Sequence, residues 1–249
     1  MRKYLRTNYI LRRLRTAGVT TLDAGEFRRL FDLPAPRAHR VLHRLVIDGA
    51  LDRLRRGRYL VSGPGGPSLP PLVLATRLVE PSYVSFWSAL HFYGWTEQAP
   101  RQIQVANTRW SGRRRLDAYA FSLVRVAPRR FFGYALAREG DSEFPVAEPE
   151  KALLDALYLP RLAGGTAAVR ACLAEALEAL DEERLAEYAI RMGVRSLCSR
   201  LGHLLEERGR EGGRLRGSAS SVYVKLDPRG PRRGRFDAKW RVINNLGGD

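Results

Sequence analysis

The stretch RAHRVLHRLVIDGALDRLRRGRYLV, residues 37–61, decides the fold of the N-terminal part of the chain. Its first half places apolar side chains at the 3.6-residue period of an amphipathic helix, and Gly49 then ends that period. Its second half brackets Arg55-Arg56-Gly57-Arg58 with apolar residues, and Gly57 can adopt the positive φ that a tight hairpin turn requires. The stretch therefore predicts a helix followed by a short basic β-hairpin.

Two further apolar stripes with helical spacing precede this stretch. They comprise Ile10, Leu11 and Leu14, and then Ala24, Phe27, Leu30 and Phe31. Asp23 and Glu26 have the spacing of a capping box at the start of the second stripe, with Thr21 as an alternative cap. Pro36 suits the first turn of the third helix. Because three short helices followed by a basic hairpin form the layout of a winged helix-turn-helix, we predict such a domain over residues 1–61.

The third helix of this layout turns its polar side chains away from the core, where such a domain meets the major groove of DNA. Arginines there can donate paired hydrogen bonds to guanine or to phosphates, whereas arginines of the hairpin suit phosphates or the minor groove. The alternative is a solvated polar face followed by a charged turn. The predicted DNA-binding residues are Arg37, His39, Arg40, His43 and Arg44 on the helix and Arg53, Arg55, Arg56 and Arg58 on the hairpin.

The distribution of charge supports a nucleic-acid partner. The 249 residues carry a formal net charge of +17. Fifteen basic residues oppose five acidic ones in residues 1–61 and eleven oppose three in residues 208–241, whereas residues 62–207 hold seventeen of each. A GC-rich coding bias accounts for the choice of arginine but not for its concentration at the two ends. We therefore expect double-stranded DNA as a partner.

A run rich in glycine and proline separates the two parts of the chain. Residues 62–71, SGPGGPSLPP, lack the side chains for a core, and their glycines and prolines disfavour regular structure. We predict a linker there, followed by a larger C-terminal domain over residues 72–249. The periodicity of that domain changes between strand and helix, so the predicted fold class is α+β: a winged helix-turn-helix followed by a mixed α/β domain.

Within the second domain, alternation and helical periods predict the following elements. Helices are predicted over residues 82–92, from Glu148 onward, and near 166–180, 181–192 and 194–208. Strands are predicted over residues 101–107, 116–126, 145–147, 221–226 and 236–243. Arg113-Arg114-Arg115 fits a solvated turn, and residues 208–221 are predicted to be a mobile stretch.

The segment Glu148-Pro149-Glu150-Lys151 partly resembles the acid-x-lysine pattern with which metal-dependent nucleases hold Mg²⁺ and activate water. Pro149 occupies the place of the expected acid, and Glu150-Lys151 opens a helical period. A first-turn acid that complements the helix dipole, with Lys151 and Asp155 paired at i, i+4, is therefore favoured. Since the sequence also lacks a phosphate loop, a nucleophile elbow and a zinc-protease motif, we expect no enzymatic activity.

We expect no cofactor and no metal. His39 and His43 have the i, i+4 spacing of metal ligands, but the neighbouring arginines repel a cation and no third ligand is near in sequence. Cys172 and Cys198 lack CxxC spacing and are predicted to be core thiols in a reducing cytosol. The basic start of the chain lacks the uninterrupted apolar run of a signal peptide or membrane span, so a cytoplasmic location without membrane contact is expected.

Two blocks of the second domain resemble the C-terminal domain of AbiE-type antitoxins, the AbiEi family. They are YVSFWSALHFYGWTEQAPRQIQVAN (83–107) and VAEPEKALLDALYLP (146–160), and the ending KWRVINN (239–245) is also similar. The winged-helix layout with its RGRYLV segment matches the same family, so the resemblance covers nearly the whole chain. It implies an antitoxin whose winged helix binds inverted repeats in its own promoter. It also implies that the C-terminal domain opposes a toxin of the nucleotidyltransferase type, often without a stable complex.

The sequence therefore predicts a transcriptional autorepressor that is also an antitoxin. Two alternatives stay open. The first is a metal-dependent nuclease with Glu150 or Lys151 in its site. The second is a stand-alone transcriptional regulator whose second domain senses a ligand.

Overall fold

The structure, a computed structural model, describes residues 5–62, 69–116 and 118–247. It has an α+β fold that divides into two compact units. The first unit comprises the chain up to Glu80 together with Glu139–Ser142, and the second comprises Pro81–Arg138 and the chain from Glu143 onward. Residues 63–68 of the predicted linker lie outside the described residues, so the domain boundaries at 1–61, 62–71 and 72–249 stay predictions.

The first unit contains four helices and three strands among its described residues. In chain order they are α1 (Thr7–Thr16), β1 (Thr21–Asp23), α2 (Ala24–Phe31), α3 (Ala35–Ile47), β2 (Leu51–Arg55), β3 (Arg58–Val61) and α4 (Pro71–Arg77). The strands form an antiparallel sheet in the order β1-β3-β2, in which Tyr59 of β3 lies opposite Leu22 and Arg53. The three helices and the hairpin therefore lie where the sequence predicts them.

Local contacts explain how the first unit forms. The Asp23 carboxylate accepts a hydrogen bond from the Glu26 amide at 2.8 Å, and the Glu26 carboxylate accepts one from the Asp23 amide at 2.6 Å. This capping box satisfies two amide donors that would otherwise lack partners at the start of α2. Gly57 adopts a φ of 77° at the turn between β2 and β3. The fully buried core side chains include Ile10, Leu14, Leu22, Phe27, Leu42 and Leu45.

The second unit is built around a six-stranded mixed sheet in the order β6-β7-β5-β4-β9-β8. Its strands are β4 (Ser82–Val84), β5 (Ile103–Asn107), β6 (Gly112–Leu116), β7 (Tyr119–Arg125), β8 (Tyr134–Glu139) and β9 (Ser142–Ala147). Its helices are α5 (Phe86–Phe92), α6 (Pro149–Tyr158), α7 (Thr166–Ala176), α8 (Glu182–Arg191) and α9 (Arg195–Glu206). Short 3-10 helices occupy Pro128–Arg130, Pro160–Leu162, Leu177–Ala179 and Gly213–Ser218.

A second, smaller sheet closes the described part of the chain. It contains β10 (Val224–Lys225), β11 (Arg235–Asp237) and β12 (Val242–Asn244) in the order β10-β12-β11. The β10–β12 pair is parallel and the β11–β12 pair is antiparallel. The prediction of one strand over residues 236–243 is wrong. A turn, in which Arg241 has a φ of 54°, separates β11 from β12.

Three further predictions about the second unit need correction. The first three residues of the predicted helix over 82–92 form β4, because they are buried and paired with β5 on one side and β9 on the other. Arg113-Arg114-Arg115 is not a turn but lies in β6, paired antiparallel with β7. The stretch 208–221, predicted to be mobile, contains the 3-10 helix Gly213–Ser218, whose Leu215 is fully buried.

Both cysteines are buried and unpaired, as the sequence predicts. Burial raises the pKa of the Cys172 and Cys198 thiols to about 11, so both stay protonated and chemically inert at neutral pH. Among the described residues, no helix combines the length and the apolar content that crossing a bilayer requires.

Candidate nucleic-acid interface

The solvent-facing side of α3 carries three of the predicted DNA-binding side chains. Because Ala38, Leu42 and Leu45 are buried, the opposite face of the helix is turned outward. His39, Arg40 and His43 lie on that face and are exposed. They occupy neighbouring turns of one helix surface, which is the spacing that a groove-binding helix needs.

The other two predicted residues of α3 lie at the margins of this face and contact the chain itself. Arg44 is half-buried, and its Nη2 donates a hydrogen bond to the carbonyl oxygen of Leu5 at 2.6 Å. Its Nε lies 4.0 Å from a carboxylate oxygen of Asp48. Arg37 is also half-buried and lines a cleft of about 520 Å³ together with Tyr9 and Phe31. Arg44 therefore helps to hold the first unit together.

The predicted arginines of the hairpin divide in the same way. Arg53 and Arg56 are exposed, whereas Arg55 and Arg58 are only partly so. Arg55 Nη2 lies 2.5 Å from a carboxylate oxygen of Glu80. Arg58 Nη1 lies 3.4 Å from Glu26 Oε2 and 3.8 Å from Asp23 Oδ2, so that Arg58 ties β3 to the capping box of α2.

The exposed subset defines a surface that we call the α3–hairpin surface. The side chains of its members are exposed and make no hydrogen bond or ion pair with other described residues. The members are His39, Arg40, His43, Arg53 and Arg56. Guanidinium groups in this state can donate to phosphates or base edges without first losing a partner in the chain. No set of three His, Cys, Asp or Glu suited to a metal ion occurs in the described part of the chain, His39 and His43 included.

A buried polar centre lies in the second unit, where the nuclease alternative places its site. Lys151 of α6 has 0% of its surface exposed, and its Nζ donates to the phenol oxygen of Tyr83 at 2.9 Å and to the Asp155 carboxylate. Asp155 Oδ2 also accepts hydrogen bonds from Tyr83 Oη at 3.0 Å and from Ser85 Oγ at 2.8 Å. The i, i+4 pair that the sequence favours is therefore present, inside the core.

The electrostatics of this centre follow from burial. Burial lowers the pKa of Lys151, and the adjacent Asp155 carboxylate partly opposes that shift. Burial also raises the pKa of Tyr83 well above its usual range, and the Asp155 charge adds to the effect. The phenol thus stays protonated and remains a donor to the carboxylate.

The two acidic side chains at the start of α6 also have hydrogen-bond partners. Glu150 is 2% exposed, and its Oε1 accepts a hydrogen bond from the Asp181 amide at 2.9 Å. Glu148 accepts a hydrogen bond from the Tyr188 hydroxyl at 2.6 Å. Glu150 and Lys151 thus join α6 to α8 and to β4, and neither is open to a nucleic-acid substrate in this structure.

One polar contact of the second unit has no sequence signal. His203 of α9 lies with Nδ1 2.6 Å from Asp237 Oδ2, beside a cavity of about 400 Å³. Burial acts to raise the pKa of Asp237, but hydrogen bonds from His203 and from the Trp240 and Lys239 amides outweigh it and lower that pKa. Since the partners are 34 residues apart, only the fold brings them together.

Comparison with known proteins places the second unit in a family. The AbiEi antitoxin C-terminal domain matches residues 83–207, which is half of the chain. The crystal structure of the RV2827C protein from Mycobacterium tuberculosis has a TM-score of 0.64 and 17% identity, over 95% of this chain and 90% of that chain. At that identity the similarity shows a shared fold alone. A search of curated proteins found no match to the chain. The matched residues include the complete buried centre around Lys151, and over this span the chain belongs to the AbiEi family of antitoxins.

Proposed function

We propose that the chain represses its own operon by binding promoter DNA and that it opposes a toxin of the nucleotidyltransferase type. Membership of an antitoxin family supports the second task, since an antitoxin implies a toxin. The resemblance of the sequence to AbiEi proteins supports a nucleotidyltransferase as the toxin and the chain's own promoter as the DNA target. Both tasks are carried out by binding rather than by catalysis, in the cytoplasm where the operon lies.

The observation that carries DNA binding is the α3–hairpin surface. Three helices followed by an antiparallel hairpin, in the sheet order β1-β3-β2, support a winged helix-turn-helix with α3 as the helix that enters the major groove. His39, Arg40 and His43 would then face base edges, while Arg53 and Arg56 would meet phosphates or the minor groove.

The remaining predicted residues have a second role in this proposal. Arg44, Arg55 and Arg58 contact groups of the first unit, so each must exchange or share such a contact to reach DNA, and Arg37 is half-buried. We assign them to the support of the α3–hairpin surface and assign the first contacts with DNA to the five exposed side chains.

The C-terminal basic segment adds a contribution that does not depend on DNA sequence. Residues 208–241 hold eleven basic residues against three acids, and Arg232, Arg233 and Arg235 within it are exposed. Such charges attract phosphates over about one Debye length and strengthen binding to any duplex. Inverted repeats in the promoter would require two copies of the chain on the DNA.

Titration of the full chain with its own promoter fragment tests the proposal. Arg40→Ala should reduce the preference for the promoter over an unrelated duplex, because it removes a base contact. Arg56→Ala should weaken binding to both duplexes and lower the slope of log K against log salt by about 1, because it removes a phosphate contact. If both variants bind the two duplexes as the wild type does, the assignment of the α3–hairpin surface is wrong.

The antitoxin task has its own test. Induction of a nucleotidyltransferase encoded beside this gene should arrest growth, and co-expression of the full chain should restore it. The double variant Arg40→Ala/Arg56→Ala should restore growth equally well from a constitutive promoter, because the second unit is unchanged. Arrest that persists with the wild-type chain would remove the nucleotidyltransferase from the proposal.

A further inference from the structure

The strand-rich half of the second unit is strongly basic. Residues 101–138 contain nine arginines and one acid, Asp117, which lies outside the described residues. Three of the arginines are consecutive on β6, which is an edge strand of the six-stranded sheet. All three are exposed, and none forms an ion pair with another described residue. This edge therefore presents a local excess of positive charge far in sequence from the α3–hairpin surface.

An exposed tryptophan is held beside these arginines by a buried side chain. Asn107 is fully buried at the end of β5, and its Oδ1 accepts hydrogen bonds from the Arg109 amide at 2.8 Å and the Trp110 amide at 3.0 Å. Its Nδ2 donates to the carbonyl oxygens of Trp110 at 3.0 Å and Val124 at 3.2 Å. One buried amide thus donates two hydrogen bonds and accepts two, and together they hold the loop that carries Trp110.

The ring of Trp110 packs against Gly112 and Arg114. A Cβ at position 112 would lie 2.5 Å from Cζ3 of Trp110, so the ring occupies space that only a glycine leaves free. The guanidinium carbon of Arg114 lies 5.7 Å from the ring centroid, within the range of a cation–π contact. Even so, Trp110 remains 38% exposed. A large aromatic surface, partly open to solvent, therefore lies beside Arg114.

Protection of the sheet edge explains the charge but not the tryptophan. Charged side chains on an edge strand discourage pairing with another strand, and Arg113, Arg114 and Arg115 would suffice for that. A partly exposed indole, on a loop whose backbone is held by a buried asparagine, adds nothing to such protection. It is the feature with which proteins stack unpaired bases, because every base offers a π face and arginines hold the phosphates that connect the bases.

We propose that Trp110, Arg113, Arg114 and Arg115, which we call the β6 surface, bind a single-stranded nucleic acid. The indole would stack on one unpaired base, and the arginines would neutralise the phosphates on either side of it. A duplex keeps its base faces inside the helical stack, so it would meet only the arginines. This activity is separate from promoter binding and does not depend on the α3–hairpin surface.

Fluorescence anisotropy with the full chain tests the proposal on three probes: a labelled uridine 12-mer, a thymidine 12-mer and a 12-base-pair duplex unrelated to the promoter. Trp110→Ala should weaken binding to at least one single strand by about 5- to 150-fold, because it removes the stacking energy of one base. Binding to the duplex should be unchanged, because its bases are not available for stacking. The better single-stranded probe shows whether the surface prefers RNA or DNA. Equal single-strand binding by Trp110→Ala and the wild type, or an equal loss on all three probes, would overturn the proposal.

Two further variants separate stacking from charge and from misfolding. Gly112→Ala should displace the indole and reproduce the loss caused by Trp110→Ala, with the indole still present. Arg113→Glu/Arg115→Glu should weaken single-strand binding and lower its salt slope by about 1 to 2. The matched control Arg129→Glu/Arg161→Glu makes the same charge change on exposed arginines of other elements. If the control weakens single-strand binding as much as the β6 pair does, the attraction is general and the β6 surface is not a site.

Discussion

The Nζ of Lys151 lies 2.9 Å from the phenol oxygen of Tyr83, and both side chains have 0% of their surface exposed. Asp155 accepts a hydrogen bond from each of them, so the three groups form a closed triangle. Burial of an ion costs several kcal/mol, and here a charge partner and hydrogen bonds offset that cost together. The triangle also joins β4 to α6 across 68 residues of sequence. The triangle therefore links two elements of the core of the second unit.

Removal of the carboxylate from this triangle should destabilise the chain strongly. Asp155→Ala leaves the buried Lys151 ammonium without its counter-charge and leaves the Tyr83 and Ser85 hydroxyls without their acceptor. We expect the free energy of unfolding to fall by about 3–5 kcal/mol. Urea unfolding followed by circular dichroism measures the change.

The double variant Lys151→Met/Asp155→Leu is the matched control. It removes both charges and fills their volume with apolar groups, so it should be more stable than Asp155→Ala by about 1–4 kcal/mol. A loss below about 1 kcal/mol for Asp155→Ala would show that the lysine is neutral or hydrated in the folded chain.

The Tyr188–Glu148 contact predicts a dependence of stability on alkaline pH. The hydrogen bond to Glu148, together with burial, raises the pKa of Tyr188 from 10.0 to about 12. Between these values the unfolded chain loses the phenol proton while the folded chain keeps it. Because the folded chain binds this proton more tightly, the contact stabilises the fold. This stabilisation is fully present below pH 10 and is lost as the pH rises towards 12.

Tyr188→Phe isolates this contribution. The variant should be less stable than the wild type by about 1 kcal/mol at pH 8, and the difference should shrink between pH 10 and 12. Unfolding in urea at pH 8, 9, 10 and 11 measures the difference, with Tyr119→Phe as a control for an exposed tyrosine outside this contact. A difference that stays constant up to pH 11 would contradict the raised pKa.

Packing of Trp240 against α9 predicts the effect of a single methyl group. Trp240 is fully buried, and a Cβ at Gly202 would overlap the carbons of its ring. Gly202→Ala should therefore cost about 1–3 kcal/mol of unfolding free energy, even though alanine is the better helix former by up to about 1 kcal/mol. Gly213→Ala is the matched control, because its Cβ would meet no atom within 4 Å. Equal thermal melting of the two variants would show that Trp240 can move aside without cost.

Local signals were enough to predict the three helices and the hairpin between residues 7 and 61, but not α4 (Pro71–Arg77). Three of these signals act within a few residues: the apolar period of α3, the capping box at Asp23 and the positive φ of Gly57. Such short-range interactions can be recognised from the sequence alone. The exposure of the predicted arginines could not be predicted from neighbouring residues, because it depends on groups that are distant in sequence. Arg55 is partly occupied by Glu80, 25 residues away, and nothing near Arg55 in sequence signals that contact.

The second unit shows why other elements were mispredicted. Ser82–Val84 continues into a helix in sequence, and only the pairing with β5 and β9 makes it a strand. β6 has arginines directed to both sides of an edge strand, so the alternation that signals a half-buried strand is missing. The Lys151–Asp155 pair could be predicted from its helical spacing, whereas the contribution of Tyr83 required the fold.

Arg56 and Arg58 are two residues apart on the hairpin, yet the structure predicts different consequences for their loss. Arg56 is exposed, so Arg56→Ala should change the free energy of unfolding by less than about 0.5 kcal/mol. Arg58 contacts Glu26, Asp23 and Thr21, so Arg58→Ala should cost about 0.2–1 kcal/mol, the range of a partly exposed ion-pair cluster.

Promoter binding should show the reverse order. If Arg56 contacts a phosphate as proposed, Arg56→Ala should lower the salt slope by about 1. Arg58→Ala should leave the slope close to that of the wild type, because Arg58 is held by acids of the first unit. Urea unfolding and salt-dependent promoter titration of both variants measure the two effects side by side. A lower slope for Arg58→Ala with an unchanged slope for Arg56→Ala would mean that the hairpin meets DNA through its partly buried arginine. In that case the capping box of α2 would have to release Arg58 when DNA binds.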